Sequence, residues 1–351
     1  MRSTVSFVVA GFIAAAAPAW AQSQPGPRIV VGGRVSGGVV AETRPPSARA
    51  YQGRNSGPEQ TERFSRKVKI GRDGRVSLAN IAGDIVVTGG SGDEVSIEAV
   101  KRTRGDRGEL ASVHIDVAER GSRVEVQTTH TLRRDRVSVD YTVSVPNSAS
   151  LEVHSISGTI KVTGVRGTVR AETISGDVTV SDTPKLEAAK STSGNVSIAG
   201  VSVEGDLVAG SVSGSVTARN VKAHGLELGS VSGGITVTDA MCDRLGAKSV
   251  SGSIEYAGTI SKTGRYEINT HSGTVRLTLA NPPGFELNAN SFSGSVRSDF
   301  PMTIGGTADR NTRDRSGRRI MNNRSMRATY GDGSATLTIR TFSGDIVIAK
   351  K

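Results

Sequence analysis

Beyond residue 67 the chain is written in short alternations of apolar and polar residues, broken by glycine. Val68 and Ile70, Val76 and Leu78, and Ile85 and Val87 each stand two apart, with Ile81 between the last two pairs. A period of two puts every apolar side chain on one face of an extended strand, so these pairs predict half-buried β-strands. Further strands are predicted around residues 95–100, 113–117, 124–126 and 137–145. Residues 105–111 are polar and read as a connection or a single helical turn. Pro146-Asn147 ends a strand, because proline has no amide hydrogen to give to a central ladder.

From there the chain repeats itself. Ser-Gly pairs fall at Ser157-Gly158, Ser175-Gly176, Ser193-Gly194, Ser213-Gly214, Ser232-Gly233, Ser251-Gly252, Ser272-Gly273 and Ser293-Gly294, spaced 18, 18, 20, 19, 19, 21 and 21 residues apart. Ser343-Gly344 follows 50 residues later, and Ala82-Gly83-Asp84-Ile85 is a degenerate early copy. Aligned on the glycine, the copies form columns. Two positions after it stand Ile160, Val178, Val196, Val216, Ile235, Ile254, Val275, Val296 and Ile346. Four after it, most copies again carry an aliphatic residue, from Val162 and Val180 to Leu277 and Ile348. Five before it stand Val153, Ala171, Ala189, Ala209, Leu228, Ala247, Ile268, Ala289 and Ile339, and three before it the residue is always Ser or Thr.

A unit of about twenty residues with two or three short strands cannot close a core alone. Stacked about 4.8 Å apart, however, each apolar column packs on itself. The expected fold is therefore all-β: a single-stranded parallel β-helix, or β-solenoid, with 18–21 residues per rung. The handedness rule for parallel crossovers makes the coil right-handed. A closed β-sandwich would not need registered columns. Each rung buries roughly five aliphatic side chains at about 1.5–3 kcal/mol each. Val231 and Ile235 are both expected in that core, where aspartate would break the stack. The glycine suits a corner that needs positive φ or close backbone approach, and the serine before it can bond free backbone groups at the turn. The nine-copy serine row is structural, since no His or Lys recurs beside it to activate a nucleophile. The irregular N-terminal strands are expected to cover one open end, and Lys350-Lys351 to discourage pairing at the other.

Composition agrees. The 351 residues include 43 glycines and only 4% aromatics, which suits a narrow aliphatic core more than a broad globular one. Arg2, the apolar run over residues 5–17 and Ala19-Trp20-Ala21 read as a signal peptide over 1–21, with a mature start near Gln22. That run is too short for a transmembrane anchor. Export to the periplasm, the cell surface or the medium follows. Cys242 is the only cysteine, so no intrachain disulfide forms, and a reactive role for it is not expected. The net charge of +11 is uneven: residues 22–75 carry 11 basic against 4 acidic groups, and residues 301–333 carry 7 against 3. The chain thus divides into a signal peptide (1–21), a basic Pro/Gly/Arg-rich linker expected to be disordered (22–66) and a solenoid (67–351). Within the solenoid, irregular strands cover 67–150, regular repeats 151–300, an arginine-rich insertion 301–333 and a final rung 334–351.

The insertion supplies the one candidate binding site: Arg310, Arg313, Arg315, Arg318, Arg319, Arg324 and Arg327 are not needed for the stack, and guanidinium pairs well with carboxylate and phosphate. Envelope polysaccharide, lipid headgroups or peptidoglycan would present such groups to an exported protein. Nucleic acid is disfavoured by compartment and by the lack of interleaved aromatics. No catalytic centre is expected. Asp177 and Asn195 lie on neighbouring rungs just after the corner, but one carboxylate makes neither an acid/base pair nor a cation site. The run from Gly89 to Glu94 resembles a calcium-solenoid turn only once, and the histidines, His114, His130, His154, His224 and His271, show no metal spacing. No metal or cofactor is expected. His271 shares a column with Val250 and Phe292 and is expected to pack or sit at a corner.

Residues 78–87 (Leu-Ala-Asn-Ile-Ala-Gly-Asp-Ile-Val-Val), Gly92-Asp93-Glu94-Val95, residues 140–146 (Asp-Tyr-Thr-Val-Ser-Val-Pro), the Ser-Gly repeats and the closing run 341–348 together resemble the "putative-adhesin" β-strand-repeat family, domain of unknown function 4097. The resemblance covers roughly residues 68–351, leaves the basic linker outside and carries no catalytic residues. It implies a β-helix on exported bacterial proteins, with an adhesive role. The leading expectation is a structural or adhesive envelope protein that binds polyanions weakly. A periplasmic module binding a protein partner along its sheet face, and a glycan-active enzyme, remain the alternatives.

Overall fold

The computed structural model describes residues 58–131, 136–304 and 325–351. The chain divides into two units, 1–53 and 54–351, and every described residue belongs to the second. The signal peptide over 1–21 and most of the linker lie outside the described residues.

The fold is all-β. Among the described residues, twenty-four strands join in one continuous sheet, with a single 3-10 helix at Arg107–Ser112. Successive repeats pair in parallel and in register. Val169–Ser175 lies between Ser150–Ser157 and Leu186–Ser193, so that Ala171 faces Val153 on one side and Ala189 on the other. Past the corner, Val178–Ser181 lies in the same way between Ile160–Thr163 and Val196–Ser202. Each aliphatic column therefore stacks on itself. Ile160, Val178, Val196, Val216, Ile235, Val275 and Ile346 are completely buried. In the middle rungs the two strands fuse into long ones, Val216–Ser230, Ile235–Ser251 and Ile254–Ser272, which also form the third side. Tyr266 donates to the Cys242 carbonyl at 2.6 Å and Tyr256 to that of Thr259 at 2.7 Å, satisfying the hydroxyls that fill this wider side. Cys242 is buried there, and burial pushes its thiol up to about 12, well away from the reactive thiolate form.

The corner glycines form a file in which each backbone touches the next. A methyl group on Gly176 would overlap the carbonyl oxygen of Gly158; the same holds for Gly194 over Gly176, Gly214 over Gly194, Gly233 over Gly214 and Gly252 over Gly233. Several also carry positive φ, among them Gly158 (142°), Gly176 (146°) and Gly344 (153°). The hydroxyl that ties the corner is not the one expected. The serines beside the glycines, from Ser157 to Ser343, are exposed. The buried Ser or Thr three positions before the glycine reaches instead to the glycine carbonyl of the adjacent rung: Ser191 to Gly176 (2.8 Å), Ser211 to Gly194 (2.7 Å), Ser230 to Gly214 (3.0 Å) and Thr270 to Gly252 (3.0 Å). Parity alone does not separate the two, since both stand at odd offsets; the inward alternation ends three residues before the glycine, and the serine beside it already lies at the exposed turn.

Rung order departs from chain order at both ends. The final rung does not close the stack. Ala335–Ser343 lies between Ile254–Ser272 and Gly284–Ser293, and Ile346–Lys350 lies between Val275–Leu279 and Val296–Ser298. The chain builds the Gly294 rung one place out, folds Ser325–Gly331 antiparallel against it, and then returns to fill the vacant layer. Lys351 is thus no edge guard; its amide donates to Leu279 and its ammonium pairs with Asp239 at 3.2 Å. The other end mirrors this. Arg75–Ala82 lies inside Arg123–His130, Ile85–Gly90 lies inside Ser138–Pro146, and antiparallel strands lie farther out. A second correction concerns the linker boundary. Gln60–Lys69 is already a strand, antiparallel to Glu94–Thr103. It escaped the alternation because it is an edge strand, exposed over most of its length and held by ladder bonds more than by burial.

Val231 is also misplaced by the sequence reading. It is 43% exposed, whereas Ile235 is fully buried. Ile235→Asp is therefore expected to destabilise the chain by about 4 kcal/mol or more, because it strips an apolar contact and buries a charge. Val231→Asp is expected to stay within about 0.5 kcal/mol. Urea denaturation of the two variants checks this, and equal losses would contradict the assigned faces.

A groove across the rungs as candidate functional site

On the outer face of the strands that lead into the corners, even offsets from the glycine point to solvent. Two before it the column reads Ile81, Ile156, Ile174, Thr192, Val212, Val231, Val250, His271, Phe342 and Phe292 in spatial order. Ile156 is 50% exposed, Ile174 54% and Phe292 62%. This is a file of apolar side chains on the outside of the sheet, and scattered exposed hydrophobics would not fall in one column. His271 belongs to it. Its ring stacks on Phe342 at 4.9 Å, and Phe342 stacks on Phe292 at 4.7 Å.

Four before the glycine the column is polar at its ends and empty in the middle: His154, Glu172, Lys190, Gly210, Gly229 and Lys248. Without side chains at Gly210 and Gly229, the surface sinks into a groove of about 910 Å³ that crosses the strands from Gln127 to Lys248. Isoleucine and valine of the outward file line one wall, and the charged residues lie along the other. Glu172 is 3.8 Å from His154 and 4.0 Å from Lys190, while Lys248 forms no ion pair among the described residues.

The residues singled out from sequence lie elsewhere. Arg310, Arg313, Arg315, Arg318, Arg319 and Arg324 fall outside the described residues; Arg327 is exposed on Ser325–Gly331, facing Asn288. Asp177 belongs to a ladder on the far side of the corner. Its carboxylate accepts the amide of Asn195 at 2.7 Å, and the Asn195 side chain accepts that of Ser215 at 3.0 Å. Asp84 and Asp345 do the same for Thr159 and Ser295, so this column secures amides from rung to rung. Gly89-Gly90 closes a strand, and Asp93 beyond it pairs with Lys69 at 3.1 Å. No cluster of three or more metal-ligating side chains occurs among the described residues. The groove was missed because its floor is defined by absent side chains. The signal was present in the alignment, as two successive glycines in a column otherwise filled by long residues.

Residues 75–349 match the Toastrack DUF4097 family. The chain belongs to this family. Solved structures resembling this Toastrack chain include a "putative adhesin" from Bacteroides fragilis, 14% identical with a TM-score of 0.40, covering 82% of this chain and 97% of that one. A "putative lipid binding protein" from Parabacteroides distasonis is 10% identical with a TM-score of 0.33, covering 83% and 97%. A "putative cell adhesion protein" from Clostridium sporogenes is 11% identical with a TM-score of 0.23, covering 83% and 100%. No curated protein matches the Toastrack chain. No helix among its described residues is long and apolar enough to cross a membrane.

The corner ladder of the Toastrack fold has a pH signature. Asp345 accepts both the amide and the hydroxyl of Ser295 at 2.8 Å, and these bonds, with Arg297 nearby, hold its carboxyl below the usual range. A carboxyl whose folded pKa is depressed adds stability above its unfolded value, and that stability is lost as pH falls through the folded pKa. The gap in urea midpoint between the native chain and Asp345→Ala is expected to be full at neutral pH and to shrink below about pH 4. A gap unchanged down to about pH 2 would contradict this role.

Proposed function

We propose that this Toastrack chain is an exported, non-catalytic binding scaffold of the bacterial envelope, wound as a right-handed parallel coil, and that it takes its ligand on the outer face of the rungs. One observation carries the reading: an unbroken stack bears a file of exposed apolar side chains, Ile156, Ile174, Val212, Val231 and Val250, beside a groove. Exposed isoleucine and valine in one line contribute little to the fold, whose core is already complete beneath them. Export rests on residues 1–21. The non-catalytic reading is supported by Asp177, whose carboxylate is engaged as a ladder acceptor. Turnover of an acidic polysaccharide, lost in Asp177→Ala, would overturn it.

The arginine-rich segment would add a weaker, salt-sensitive contact with envelope polyanions, and Arg327 is its one described member. The central reading is tested by cell fractionation. The native chain is expected in the envelope fraction. A triple variant, Ile174→Asp with Val212→Asp and Val231→Asp, is expected to lose at least half of that retention with its thermal midpoint nearly unchanged, since all three positions face solvent. Full retention of the variant would sink the reading.

A further inference from the structure

Resting on that outer-face reading, we propose that the groove binds a long-chain fatty acid, its hydrocarbon lying along the file from Ile156 to Val231 and its carboxylate meeting Lys248.

The argument begins at Gly229. Glycine inside a strand weakens it and commonly marks a place where a ligand or another backbone approaches closely. The corner glycines have such a reason in the neighbouring carbonyls. Gly229 has none: nothing lies within 4 Å of where its Cβ would stand, and its φ is not positive. What its missing side chain provides is space, and that space continues over Gly210 into the groove.

The walls select the occupant. The groove runs across the strands, and its rungs are interior, each paired with a neighbour on both sides. No sheet edge is open to a polypeptide there, so an extended peptide laid along the axis would leave its own amides and carbonyls without partners. An acyl chain has no such groups to satisfy. A sugar would call for a flat aromatic face, and the groove is lined by branched aliphatic residues; the rings lie beyond it, at His271, Phe342 and Phe292. Length fits as well. From Ile156 to Val231 the file climbs four rungs, about 19 Å at the usual strand spacing. That matches an extended chain of about fifteen carbons at roughly 1.3 Å each.

Charge fixes the head. Lys190 and Lys248 bracket the two-glycine gap; Lys190 shares Glu172, whereas Lys248 forms no ion pair among the described residues. An unpaired ammonium at the end of an apolar trough complements a single carboxylate.

The test is calorimetric titration of the full exported chain with palmitate, methyl palmitate and hexanoate. Saturable one-to-one binding of palmitate is expected, with hexanoate at least a hundredfold weaker. Gly229→Phe fills the trough and should weaken palmitate at least tenfold with an unchanged thermal midpoint, whereas Gly229→Ala should bind within about twofold of native. Lys248→Gln should weaken palmitate severalfold and leave methyl palmitate alone, so that the two probes converge. No saturable binding, or equal affinity of native chain and Gly229→Phe for palmitate, would overturn the proposal. So would a concentration-dependent dimer abolished by Gly229→Phe with palmitate binding untouched, which would assign the groove to a second copy. Because the titration uses purified protein, its failure is separable from loss of envelope retention.

Discussion

Rung spacing at the corner is the constraint on which the rest depends. A parallel ladder sets adjacent rungs about 4.8 Å apart, and at a sharp corner the inner backbone has less room than along the flat strands. The glycine file shows how little: in each layer a single methyl group would overlap the carbonyl of the glycine beneath it. Close approach would strand that carbonyl inside the core, where an unpaired acceptor costs about 1–3 kcal/mol. The buried Ser or Thr of the next rung supplies its partner, and the Asp or Asn ladder outside the corner secures the amides opposite. At the Gly83 corner the device changes, and Ser155 of the next rung makes no such bond. There Asn80, longer than serine, spans to both the Gly83 carbonyl at 3.1 Å and that of Val139 at 2.8 Å, joining the first regular corner to the irregular strands beyond it.

Once corners are identical, the layers become interchangeable, and this is why the final rung can be displaced. Nothing in the columns through Ile268, Ile339 and Ala289 distinguishes the neighbours of each. Any order would bury the same residues. The chosen order places Ala335–Ser343 second from the end, so that an antiparallel strand, Ser325–Gly331, covers the outermost parallel one. An antiparallel cover interrupts the template that an open parallel edge would offer to another chain, and the N-terminal end uses Glu94–Thr103 and Val113–Arg120 in the same way.

The repeat, its columns and its strands were legible because a period of two and a recurring glycine are local in sequence. Rung order was not, because it depends on a choice among equivalent layers. The aromatic file gives no trace of it either: His271, Phe292 and Phe342 would occupy adjacent layers in either order, and their stacking at 4.7–4.9 Å does not choose between them. The offset at Val231 went astray for a related reason. A corner residue reverses the chain without reversing the pleat, so parity must be counted separately on each side of the glycine. Counted so, Val231 faces outward and Ile235 inward.

The same parity argument explains why the groove lies where it does. On the strand before the corner, odd offsets are committed to the core and to the hydroxyl ladder, which leaves even offsets free of any folding duty. Sequence there can drift or serve a ligand. Drift toward polarity is the ordinary outcome for a solvated face, yet the column two before the glycine stays aliphatic or aromatic in all but one of its ten layers, Thr192, while the column four before it loses its side chains together at Gly210 and Gly229. Apolar wall and empty floor occur in the same layers. The stack needs neither feature, and it is their coincidence, more than either alone, that supports the proposed binding role of the outer face.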